Sequence, residues 1–94
     1  MMVIGCLKIT LRASWVHSLK EKRMIVRRIV GKVRHKFNVS IHEVELMDEH
    51  QTLVLGVSCV SNSAQIVQSI LDQIINYIES HFDTELCDIE MDLV

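Results

Sequence analysis

The chain has 94 residues, 49% hydrophobic but only 4% aromatic, which fits one domain with an aliphatic core and leaves few rings for a base-stacking sheet surface. No apolar run reaches the roughly 18 residues that cross a bilayer, and no charged, then apolar, then small-residue leader opens the chain, so a cytoplasmic protein with no membrane partner is expected. The net charge of −2 conceals an asymmetry: residues 13 to 36 carry eight basic side chains and one acidic one, +7, and the remainder sums to −9.

Met2 to Arg12 alternates Val3, Gly5, Leu7, Ile9 and Leu11 against Ile4, Cys6, Lys8, Thr10 and Arg12, a period of two that predicts a long strand with an apolar odd face. Ala13 to His17 is the connection and contains Trp15, the one tryptophan, expected to fold down as a lid on the core edge because its ring covers a large area.

Ser18 to Asn38 reads as an amphipathic helix. Ser18 followed by Glu21 forms a capping box, in which the hydroxyl accepts from the Glu21 amide while the carboxylate reaches back. Leu19, Val26, Ile29, Val30, Val33 and Phe37 recur at helical spacing and predict a buried stripe. On one flank Lys20, Arg23, Arg27 and Arg34 share a narrow arc, with Gly31 nearby, where a missing side chain would permit close approach of another backbone. Lys22, Arg28, Lys32 and Lys36 are assigned to the other flank and the outer surface. Asn38 follows as a residue able to adopt the left-handed conformation or cap the exit.

Val39 to Asp48 predicts a second strand whose phase slips between Ile41 and Val44, suggesting a bulge at His42 and Glu43 or a strand that starts late. Asp48 to Gln51 has the length of a hairpin turn, and Thr52 to Val60 resumes alternation with Leu53, Leu55, Val57 and Cys59 inward. Ser61, Asn62 and Ser63 cap a second helix with a broad apolar face of Ile66, Val67, Ile70, Leu71, Ile74, Ile75 and Ile78. Glu85 to Val94 closes as a strand with Asp88, Glu90 and Asp92 on one face.

The order β-α-β-β-α-β with right-handed crossovers leads to a ferredoxin-like α+β sandwich: a four-stranded antiparallel sheet in the order 4-1-3-2 with two helices on one face, forming a single domain over residues 1–94. Asp88, Glu90 and Asp92 would then face Lys8 and Arg12 across the uncovered sheet surface. Ile4, Cys6, Val54 and Val60 make that surface apolar enough to leave room for a homodimer through the open sheet face.

Taken together, the start MVIG, the blocks SLKEKR and KFNVSIHEVE with Asp48 and Gln51 just after, and LGVSCVSN resemble the YlxP-like family of small bacterial proteins, a domain of unknown function. The likeness runs over essentially the whole chain, with Ser18, Leu19, Lys20, Lys22, Arg23, Phe37, Asn38, Val39 and Ser40 matching its signature. Where the family usually has Trp before the residue standing here as Gln51, this chain has His50. The resemblance implies a ferredoxin-like fold and a cytosolic bacterial protein, with no catalytic residue to carry over. The tendency of its members to be encoded near translation genes implies an association with ribosomal RNA or a ribosomal particle.

The residues themselves suggest no enzyme. Gly5, Gly31 and Gly56 are dispersed and form no phosphate-binding loop. Cys6, Cys59 and Cys87 sit in apolar runs at no metal-ligand spacing and read as core thiols, while His42, Asp48 and His50 read as hairpin residues, so neither a metal nor another cofactor is expected. A non-catalytic binding protein remains, with Lys20, Lys22, Arg23, Arg27, Arg28 and Arg34 as the candidate RNA-binding residues. The rival is a homodimeric interaction module whose basic helix meets an acidic protein surface.

Overall fold

The computed structural model describes residues 1–94. Its elements are β1 (Val3–Arg12), α1 (Leu19–Lys36), β2 (Ser40–Glu45), β3 (Thr52–Ser61), α2 (Ala64–His81) and β4 (Glu85–Leu93). The strands form one antiparallel sheet in the order β2-β3-β1-β4, the expected 4-1-3-2 read from the other edge.

Alternation in the two central strands places Leu7, Ile9 and Leu11 of β1 beside Leu53, Leu55, Val57 and Cys59 of β3, and one cluster of 20 buried residues joins them to both helices. Gly5 belongs to this face for a steric reason. A β-carbon there would run into Val67 and Leu71, so the bare backbone lets α2 settle close to β1.

Both helices start on serine. Ser18 Oγ accepts from the Glu21 amide at 3.1 Å and Ser63 Oγ from the Ile66 amide at 3.3 Å. In α2 the buried line is Val67, Leu71, Ile74, Ile75 and Ile78; Ile66, expected on that face, is exposed in the first turn.

The second strand departs from expectation at its end. β2 stops at Glu45 because Leu46 turns left-handed at φ 53 and its carbonyl then accepts from the Glu49 amide at 3.0 Å. The pairing of β2 with β3 slips between Glu43 and Glu45, so the bulge lies at Val44 and not at His42 and Glu43. The left-handed residue is thus Leu46; Asn38 does not take that role, and α1 ends with the Phe37 amide donating to the Val33 carbonyl at 2.8 Å.

Val44 stands on the open side of the sheet with Ser40 and His42, over Gly56, where a β-carbon would come within 2.8 Å of it, and the bulge brings Glu45 to that side as well. Glu43 keeps its side chain on the helix side, where it meets α1. No helix is long and apolar enough to cross a membrane.

Candidate nucleic-acid interface

α1 carries most of the positive charge, and its burial pattern decides which of those charges are free. The buried line is Lys22, Ile25, Ile29 and Val33, spaced i, i+3, i+7 and i+11, while Val26, Val30 and Phe37 are half-buried beside it.

Lys22 therefore leaves the candidate set. Its side chain is 1% exposed, its Nζ lies 3.0 Å from Glu43 Oε2, and it donates to the Leu46 carbonyl at 2.5 Å. Its place on the helix, two turns before Ile29, puts it at the N-terminal end of the core stripe, so its long stem is buried and its ammonium ends at the β2–β3 connection. That spacing was present in the sequence, and Ile25, which completes the stripe, carries the same signal.

Arg34 is exposed but partly committed, its Nη2 donating to the Ile41 carbonyl at 3.0 Å. Helix α1 thereby holds an outward carbonyl of β2, the strand at one edge of the sheet. Gly31 has nothing within 4 Å of a β-carbon, which removes the close approach expected there.

Lys20, Arg23, Arg27, Arg28, Lys32 and Lys36 are exposed, and none pairs with a carboxylate, since the ion pairs of the molecule involve only Lys8 and Lys22. Lys36 sits 5.8 Å from the Phe37 ring centroid and 5.5 Å from that of Tyr77, held over the junction of the two helices.

The opposite side of the sheet has the opposite sign. Lys8 stands between Glu45 at 2.8 Å and Glu90 at 2.9 Å, bridging β1 to both outer strands. Its neighbour on β3 is Gly56, whose missing side chain makes room for Val44. Contact with Glu45, and then with Glu90, pushes the Lys8 ammonium well above the ordinary lysine range. Asp88 and Asp92 lie exposed on the same surface, the first opposite Thr10 and the second opposite Cys6. Arg12 faces Glu85 in the pairing, yet its guanidinium donates to Gln51 Oε1 at 3.2 Å.

Only one of the three cysteines is a core thiol. Cys59 is buried and its pKa is raised by that burial, whereas Cys6 is exposed on the open face and Cys87 at the irregularity of β4.

The loop between β1 and α1 is tied down by Gln51. Its Nε2 donates to the Ser14 carbonyl at 3.1 Å and to the Val16 carbonyl at 3.2 Å, while its own carbonyl accepts from the Ala13 amide at 2.8 Å. Trp15 projects from this loop and donates through Nε1 to the Asp83 carbonyl at 2.8 Å. It remains 42% exposed, so it closes the core edge only in part.

The family model described as "Protein of unknown function (DUF503)" matches residues 4–91. The chain belongs to this family. It is 38% identical over 68 residues to "Uncharacterized protein YlxP" of Bacillus subtilis (strain 168), a match covering 72% of this chain and 74% of that protein. Among solved structures it resembles the de novo designed protein LFR1 1 with ferredoxin fold (TM-score 0.58, 16% identity, 99% of this chain and 85% of that one). It also resembles the de novo designed protein Foldit4 (TM-score 0.55, 14% identity, 100% of this chain and 97% of that one). At these identities the likeness shows a ferredoxin-like fold, and nothing about ligands passes across it.

Proposed function

We propose that this member of the family is a non-catalytic, cytoplasmic RNA-binding protein that docks on ribosomal RNA or a ribosomal particle through the outer face of α1. The observation that carries this reading is the row of exposed, unpaired cations, Lys20, Arg23, Arg27, Arg28, Lys32 and Lys36, on a single helix. An ammonium or guanidinium without a carboxylate neighbour can meet a phosphate without first breaking an ion pair. The segregation of charge adds to this, because the acidic open face repels a phosphate backbone and presents α1 as the approach surface. The ribosomal target is supported by the resemblance set out above, through the genes among which such proteins tend to be encoded.

Co-sedimentation with ribosomal subunits and mature ribosomes across a salt series tests the reading, using the native protein beside Arg23→Glu/Arg27→Glu. Retention on one particle that falls with salt and is lost in the variant supports it. No retention at low salt, with particles intact, overturns it.

A dimer through the open sheet face is the second reading, favoured by Val60, which is 61% exposed, and by Val44, exposed farther along the same surface over Gly56. Two such faces would also bring together their Asp88, Glu90 and Asp92 side chains, which costs electrostatic energy and ranks this reading below the first. Sedimentation equilibrium of the native protein decides it: a monomer across the accessible concentration range rules the dimer out.

A further inference from the structure

Trp15 stands between two clefts, of about 230 and 420 Å³, and Ile25 and Arg28 line both. The larger is completed by His81, Phe82 and Asp83. Three features distinguish it from an incidental surface dent. The indole is held from both ends, by its N–H bond to the Asp83 carbonyl and by the Gln51 bonds that fix its loop. The ring is still substantially exposed. Finally, Arg28 and Asp83 line the same cleft with no ion pair between them, so neither charge is neutralised by the other.

Resting on the RNA-binding reading above, we infer that this cleft receives an unpaired base of single-stranded RNA, with guanine the preferred occupant. An aromatic ring fixed in place and open on one side is a stacking platform. Guanine offers acceptors on one edge, O6 and N7, and N–H donors on its pairing edge, which suit a guanidinium and a carboxylate respectively. The carboxylate also explains why a base and not a phosphate belongs here, since Asp83 repels an anion but accepts from an N–H group. Phosphates of the same strand find Arg27 and Lys32, which flank Arg28 on the exposed helix surface one residue before it and four after. A double-stranded RNA cannot fill the cleft, because its bases are stacked and paired.

The test uses the native protein and the fact that Trp15 is the single tryptophan, so its emission reports on the surroundings of this one ring. Three probes are titrated: an oligouridine with one central guanosine, the same strand without guanosine, and the first strand annealed to its complement. The expected result is saturable quenching by the guanosine strand, with affinity above that for oligouridine and little quenching by the duplex. Trp15→Ala should lose about tenfold in affinity for the guanosine strand, while Trp15→Phe, which keeps a stacking ring, should lose less. Circular dichroism melting of both variants checks that they fold, and the quenching arm requires no variant.

Binding of all three probes with unchanged emission and unchanged Trp15→Ala affinity overturns the cleft while leaving RNA binding by α1 in place. Absence of binding to any RNA at low salt overturns both. Equal quenching and equal affinity for the strands with and without guanosine overturn the guanine assignment.

Discussion

The Lys22 ammonium and the Glu43 carboxylate meet at 3.0 Å between α1 and the sheet, with the lysine side chain 1% and the glutamate 18% exposed. No aligned hydrogen bond reaches Glu43 Oε2, so attraction between the charges, together with the Lys22 bond to the Leu46 carbonyl, offsets their desolvation. Removing one member leaves the other without its partner. Lys22→Ala should lower unfolding free energy by about 3 kcal/mol, and Glu43→Gln by less because part of that residue reaches water. Replacing both by apolar residues of similar volume, Lys22→Met with Glu43→Leu, should recover most of the loss. Urea unfolding of the three variants checks this; a double variant as unstable as Lys22→Ala would show that the pair contributes beyond compensating its own burial.

This pair also marks the boundary of what could be read from the sequence. Strands with period two, helices with period three to four and two serine caps led directly to the observed elements and strand order. Lys22 occupies a stripe position by the same periodicity, but its charge suggested a surface residue, and nothing local indicated that Glu43 would stand opposite it. Glu43 faces the helix by alternation with the buried Ile41, and the bulge at Val44 beyond it sends Glu45 to Lys8 on the other side. Cys6 presents the reverse case. Alternation already placed it on the open face with Lys8 and Thr10, while its apolar neighbours suggested a core thiol, and the structure follows the alternation.

Leu46 is the one non-glycine residue with positive φ, at 53, a conformation that costs an L-residue with a full side chain roughly 1 kcal/mol or more. Leu46→Asn, which adopts this region more readily, should therefore leave stability unchanged or raise it by about 0.5 kcal/mol, whereas β-branched Leu46→Val should lower it by about 1 kcal/mol. Because the Leu46 carbonyl also receives Lys22, the Val variant should show its loss together with weakened protection of the hairpin amides in hydrogen exchange. Equal melting temperatures for the two variants would remove the conformational argument.

Two glycines make a paired comparison. Gly5→Ala places a methyl group against Val67 and Leu71 in the tightest part of the α2–β1 packing and should cost about 1–3 kcal/mol. Gly31→Ala places the same methyl group on an open helix surface and should stabilise by about 0.5–1 kcal/mol, because alanine loses less backbone freedom there. Thermal unfolding should move in opposite directions for the two. A destabilised Gly31→Ala would mean that α1 is covered at that point.

Lys8 leads to a pH dependence of known sign. Its folded pKa is raised above the ordinary value of 10.5, so the stabilisation from Glu45 and Glu90 is fully present below that value and is lost as pH rises above it toward the folded pKa. The difference in stability between the native protein and Lys8→Met should accordingly be level through neutral pH and shrink in strongly alkaline solution. Comparing the two proteins removes the contribution of the other lysines and the tyrosine. A difference that widened with rising pH would contradict the direction of the shift.

Arg27 and Arg34 share one arc of α1 but differ in what they touch, which separates stability from binding within a single surface. Arg34→Ala removes a charged donor from the Ile41 carbonyl at the sheet edge and should cost about 1 kcal/mol, an amount reduced from the usual value for charged donors because the bond is only partly buried and Arg34 itself is exposed. Arg27→Ala removes no hydrogen bond or ion pair to the protein and should unfold within about 0.5 kcal/mol of the native chain. If α1 meets phosphates, the order reverses in an RNA titration. Arg27→Ala should reduce the slope of log affinity against log salt by about 1, the contribution of a single phosphate contact. Arg34 can contribute to binding only by giving up its bond to Ile41, so Arg34→Ala should change that slope less. Calorimetric unfolding and a salt series on the same two variants measure both effects, and a larger loss of slope for Arg34→Ala would move the binding surface toward the β2 edge.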